Sequence, residues 1–219
     1  MKMFSGAAVT AAGAVLAGCQ KAGLVQDPMT PYFGPRQGPG PYAEASRCAG
    51  RNPSAGGGTQ VARAAPGGLW TPPGGERDWR FIILHHSATD HGSAGVFDRL
   101  HRSHGWDELG YHFVIGNGTE SGNGVVEVGS RWPKQKHGAH CKVSGHPEYN
   151  DVGIGVCLVG NFDNYRPTGA QVASCIRVVQ FLKDRYGVPE SRIYGHGQLK
   201  PTHCPGALFP YDEVFGGLT

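Results

Sequence analysis

The sequence predicts an α/β domain built on a central mixed β-sheet flanked by helices, and three features carry that expectation. A short apolar run, Phe81-Ile82-Ile83-Leu84, and a longer one, Gly153 to Gly160, have the length and β-branched content of buried strands. Ser93–His104 and Thr168–Tyr186 instead place apolar residues at helical spacing. Strands alternating with helices are the pattern of a layered α/β architecture.

The chain has 219 residues, enough for one ordinary domain and a sizeable appendage. The appendage comes first. Lys2 is followed by an apolar stretch rich in Ala and Val that is shorter than the roughly 20 residues needed to span a bilayer, so residues 1–19 read as an export signal. Its end, Leu16-Ala17-Gly18-Cys19, resembles a bacterial lipobox, which implies lipidation of Cys19 and attachment to a membrane. By the same analogy, Gln20 after the cysteine implies the outer membrane of a two-membrane cell, facing the periplasm. Residues 20–77 read as a linker: from Pro28 to Arg77 there are 9 Pro and 11 Gly in 50 residues, above the roughly 25–30% typical of non-periodic disordered segments. Tyr32, Phe33, Tyr42 and Trp70 are aromatic exceptions in it, and the end near Trp70 is expected to pack on the domain.

The domain is expected over residues 78–219. After the His85 strand, Val96, Phe97 and Leu100 mark an amphipathic helix that Gly105 ends. Gly110–Ile115 reads as a second strand, Asn117-Gly118 as a turn and Val125–Val128 as a further short strand. Gly153–Gly160 suits a central strand. Thr168 with Gln171 forms a capping-box pattern, and the helix it opens closes at Tyr186-Gly187.

Charge excludes one class of partner. Lys and Arg total 20 against 17 Asp and Glu, and a formal charge of +3 is too small to argue for nucleic acid. A monomer is expected. All 11 histidines fall between His85 and His203, which marks the second part of the chain as the chemical part. Among the six cysteines, Cys48, Cys141, Cys157 and Cys175 could pair in ways that sequence does not distinguish, although Cys157 in an apolar strand reads as a small buried hydrophobe. Cys141, beside His140, lacks any further thiol-activating arrangement.

His196 and Cys204 stand eight positions apart in Tyr194–Gly206, a segment too rich in Gly and Pro for a regular helix or strand. Such a segment can fold back and bring both side chains to one point. Imidazole and thiolate are good zinc donors, and a third donor would leave one tetrahedral position open for water, as at catalytic zinc sites. The upstream candidates are His85 and His86, where the apolar strand ends at a sheet edge.

Four motifs then occur in one order: Ile83-Leu84-His85-His86-Ser87-Ala88-Thr89; Gly105-Trp106 through Gly110-Tyr111-His112-Phe113; Gly153 through Phe162; and His196 to Cys204-Pro205-Gly206. Together they resemble the zinc-dependent type 2 N-acetylmuramoyl-L-alanine amidases, a group that includes phage lysozymes of amidase type and animal peptidoglycan recognition proteins. The likeness runs from about Trp79 to about Tyr211. It implies a Zn2+ centre on His85, His196 and Cys204, with His86 beside it, and hydrolysis of the bond between N-acetylmuramic acid and the L-alanine of the stem peptide. Peptidoglycan or muropeptides are the implied partners. Tyr111 matches a tyrosine that the family places beside the zinc, and Thr202 a position that carries lysine in phage enzymes and threonine in the animal proteins. With threonine the cation is missing, and Lys200 or His203 is a candidate to replace it. Gly138-Ala139-His140 resembles a loop that lines the family's site, and Arg131-Trp132 through Gln135 could border a groove, with Trp132 stacking on a sugar or packing inside. The alternative function is a non-catalytic peptidoglycan-binding module, since some relatives bind without cutting; those typically lack the cysteine that is present here as Cys204.

Overall fold

Phe81–His86 is the strand on which the sheet is assembled. In the computed structural model, which describes residue 68 and residues 70–219, this strand (β1) is central and not at an edge, contrary to the expectation for its histidines. The signal segment with Cys19, and Tyr32, Phe33, Tyr42 and Cys48 of the linker, lie outside the described residues. Further strands are β2 (Phe113–Ile115), β3 (Val126–Val128), β4 (Gly153–Leu158) and β5 (Ile193–Gly195). They lie in the order β3-β2-β4-β1-β5, and only β2 and β3 are antiparallel, so the sheet is mixed as expected.

Side chains alternate across a strand, so Ile82 and Leu84 point to one face and Ile83 and His85 to the other. The first face carries the main core. Ile82, Leu84, Ile154, Val156 and Leu158 pack there with Val172, Cys175, Val178, Val179 and Leu182. These last five belong to α3 (Gly169–Tyr186), which Thr168 and Gln171 open with a two-way capping box and Gly187 closes in the left-handed region at φ 62°. Each fully buried aliphatic side chain of this layer contributes about 1.5–3 kcal/mol of transfer free energy. The second face has a smaller cluster, Phe97, Leu109, Tyr111, Val114, Cys157 and Val159, under α1 (Ala94–Ser103).

The short α2 (Glu148–Asp151), β5, α4 (Tyr211–Gly216) and the 3-10 turns at Glu190–Arg192 and His196–Gln198 were not visible in the sequence. Conversely, β2 begins only at Phe113, so Gly110 to His112 precede the ladder. Trp70 packs inward at 6% exposure against Phe113 and Phe181, as expected for the end of the linker. Glu76 pairs with Arg185 at 2.5 Å and Arg77 Nε donates to the Gln135 carbonyl at 3.0 Å, so this segment is strapped along the domain. Among the described residues, no helix is long and apolar enough to cross a membrane, and no disulfide forms.

Candidate metal centre

β1 carries His85 to the C-terminal end of the sheet, next to β5, whose last residue Gly195 leads directly into a 3-10 turn over His196–Gln198. The Gly and Pro content of 194–206 therefore hides two short regular pieces. The loop returns so that Gly197 N donates to the Cys204 carbonyl at 2.6 Å, and a side chain at 197 would meet the Thr202 and Cys204 carbonyls at 2.8 and 2.9 Å. Glycine is required for that closure. Gly206, at φ 103° and packed on the Phe162 backbone, completes the turn behind the cysteine.

The result brings His85, His196 and Cys204 together. One nitrogen of each ring and the sulfur all lie within 4.8 Å of one another, and all three residues are buried. His85 Nδ1 is 3.5 Å from Cys204 Sγ, and the two imidazole centroids are 4.7 Å apart. Donors around one tetrahedral zinc ion would be separated by roughly 3.3–3.6 Å. The donor types suit zinc, and the His85 Nδ1–Cys204 Sγ pair already stands at such a separation. Burial first, then the His196, His140 and His86 imidazoles, push the pKa of His85 well below the ordinary histidine range, which keeps a lone pair available.

The ring of His86 points away from the cluster. Its Nδ1 accepts from Phe162 N at 3.1 Å, and it is held at a pKa of about 4, chiefly by burial. Its backbone is what reaches the cluster, donating from N to Cys204 Sγ at 3.4 Å. Tyr111 is 7% exposed with its ring 5.2 Å from that of His85, and a hydrogen bond from it lowers the Cys157 thiol pKa that burial raises more strongly. The segment leading into Tyr111 is anchored: His101 Nδ1 accepts from Gly110 N at 3.0 Å, and Asp107 and Glu108 pair with Arg131, Lys134 and Lys136. Thr202 Oγ1 accepts from Cys204 N at 3.4 Å, bracing the cysteine loop. His203 instead pairs with Asp163 at 3.5 Å.

The segment from Arg131 to Gln135 does not border a groove, and of the two readings of Trp132 the packing one holds. Trp132 is 0% exposed, stacks on Trp79 and donates from Nε1 to the Trp70 carbonyl at 2.8 Å, so it is core and not a sugar platform. Arg131 and Gln135 are likewise buried, tied to the Leu109 and Trp132 carbonyls. His140 does reach the site, but from beneath: at 1% exposure its Nδ1 lies 3.1 Å from His85 Nε2. Asn150 Oδ1 holds that loop by accepting from both His140 N and Cys141 N at 2.9 Å. Gly155 within an apolar strand was the available signal, because a strand glycine marks close approach and here the His140 ring fills that space.

A mixed α/β sheet with a buried two-imidazole, one-thiol cluster at the C-terminal end of a central strand defines a domain able to hold a catalytic-type metal. Residues 75–207 match the N-acetylmuramoyl-L-alanine amidase family, and the chain belongs to that family. The mouse N-acetylmuramoyl-L-alanine amidase is 36% identical over 107 residues, 48% of this chain and 18% of the relative. Peptidoglycan-recognition protein LB of Drosophila melanogaster is 31% identical over 111 residues, 50% of this chain and 42% of the relative. The chain thus spans less than half the length of either of these relatives. Among solved structures, the amidase LysC of Clostridium intestinale superposes with a TM-score of 0.55 at 27% identity, covering 64% of this chain and 84% of that one. A complex of tracheal cytotoxin with the ectodomains of peptidoglycan recognition proteins LCa and LCx matches at TM-score 0.50 and 27% identity, covering 60% of this chain and 78% of that one.

Proposed function

We propose that this protein is a zinc-dependent amidase that hydrolyses the bond between N-acetylmuramic acid and the L-alanine of the peptidoglycan stem peptide. The observation that carries the reading is the buried His85, His196 and Cys204 triad, whose donors lie within 4.8 Å in a chain of the amidase family. When bound, zinc supplies Lewis acidity for the scissile carbonyl and a means of ionising water near neutral pH. The chain's own residues do the rest. Tyr111 sits beside His85, and its phenol, which hydrogen-bonds Cys157 in this structure, would turn its single O–H to the developing oxyanion when substrate binds. Thr202 keeps Cys204 in place through its hydroxyl, and the His86 N–H stabilises negative charge on the sulfur. The binding of tracheal cytotoxin by related ectodomains supports muropeptides as ligands.

The test is digestion of purified peptidoglycan by the protein with and without a zinc chelator, followed by mass analysis. Stem peptides beginning at L-alanine, lost with chelator and restored by zinc, are expected. Retention on the wall with no cleavage would overturn the enzyme in favour of a binding module. The lipobox resemblance at Cys19 supports a lipid anchor in the outer membrane facing the periplasm, with the part of the 20–77 linker ahead of the packed Trp70 as the tether. Cys19→Ser protein is then expected in the soluble fraction; partition with membranes would remove the anchor from the proposal.

A further inference from the structure

His140 Nε2 lies 3.2 Å from the Gly153 carbonyl and Nδ1 lies 3.1 Å from His85 Nε2. A carbonyl oxygen only accepts, so Nε2 of His140 is the donor in the first contact. A neutral imidazole has one N–H, which leaves Nδ1 of His140 as an acceptor. The proton between the two rings then belongs to His85 Nε2. His85 Nδ1, the atom 3.5 Å from Cys204 Sγ, is left with its lone pair.

The ring of His140 has space made for it. A Cβ at Gly155 would lie 2.5 Å from its Cδ2, and one at Gly138 would also collide with it. The Asn150 side chain fixes its backbone, and the ring packs at 5.0 Å from that of His85, nearly perpendicular at 78°. Several independent features thus hold one buried ring in one orientation, behind a candidate metal ligand and away from solvent.

We propose that His140 is the positioning residue of the metal centre: with Nε2 committed to the Gly153 carbonyl of β4, its Nδ1 holds His85 as the Nε2–H tautomer and aims the His85 Nδ1 lone pair at the ion. The inference rests on the zinc reading of the function. It assigns the tautomer of a ligand to a backbone carbonyl one ring further away. Partners of this kind usually change metal affinity by 10–100-fold when removed.

Two measurements on the full-length protein test it. Long-range 1H–15N correlation of the zinc-free wild type should show His85 protonated at Nε2 and bare at Nδ1, and the opposite tautomer would overturn the inference. Zinc affinity, measured by competition with a chromophoric chelator, should fall about 10–100-fold in His140→Ala. His140→Asn, whose side-chain oxygen takes the place of Nδ1, should recover most of the loss; folded Ala and Asn variants that both bind zinc as tightly as the wild type would also overturn it. Should the Ala variant fail to fold, the wild-type tautomer decides. A wild type that binds no zinc would sink the enzyme reading, and the tautomer measurement would still stand on its own.

Discussion

Cys204 is the residue on which several demands converge: its sulfur faces His85 Nδ1 and accepts from the His86 backbone, and its carbonyl closes the loop onto Gly197. Removing the sulfur keeps the loop and deletes one of three donors. Cys204→Ala protein is therefore expected to purify with almost no zinc and to leave peptidoglycan uncut, and full zinc occupancy by atomic absorption would disprove the ligand assignment. Tyr111 acts on the other side of the chemistry. Tyr111→Phe keeps the ring against His85 and loses only the hydroxyl, so turnover should fall on the order of 100-fold with zinc content unchanged. Unaltered turnover would make Tyr111 a packing residue. His140 shows how far the residue scale was legible: Gly138-Ala139-His140 stood out as part of the site, but its place under His85 depends on room left by Gly155 on another strand.

At the scale of elements, legibility follows how local the cause is. α3 was readable from end to end because its start and stop are chemistry within a few residues. Thr168 Oγ1 accepts from Gln171 N at 3.1 Å while Gln171 Oε1 accepts from Thr168 N at 3.1 Å, and Gly187 takes the left-handed turn. Thr168→Ala removes half of that box and should lower the free energy of unfolding by about 1 kcal/mol, read as a lower urea midpoint with unchanged m. No shift in midpoint would mean that packing alone holds the helix start. α2, β5 and α4 have no comparable local signature. β5 has only three residues and exists because Ile82, Ile83 and Leu84 supply a strand for it to pair with. Gly195 within it is fixed from outside too, since any Cβ there would collide with the Tyr211 hydroxyl from α4.

Across the whole molecule, several histidines are folded into dry surroundings in the neutral state. Burial is the leading cause that holds His101 at about 4 and His112 at about 3. In the unfolded chain both would titrate near 6.5, so between about pH 4 and 6.5 the unfolded chain binds more protons. Their contribution is complete above pH 6.5 and is lost as pH falls through that window, on the order of 2 kcal/mol for each histidine by pH 5. Chemical unfolding with a chelator present throughout should show lower stability at pH 5 than at pH 7. Equal stability at the two values would mean that these rings are protonated in the fold.

The N-terminal strap belongs to the same scale. Trp70, Glu76 and Arg77 lie in a stretch whose composition is that of a linker, yet they join the core cluster, Arg185 and Gln135. By itself the sequence determined the mixed α/β class, the strands β1 and β4, both long helices and the His196–Cys204 donor pair, while the choice of His85 over His86 came from the family resemblance. Periodicity, caps and motif spacing are properties of neighbouring residues, and a linear reading captures them. Tertiary structure alone decided that Trp132 is core, that β1 is central, that His86 serves through its backbone and that His140 lies behind His85. Those outcomes depend on which side chain finds space on a strand more than a hundred positions or several elements away, and no local pattern encodes that space.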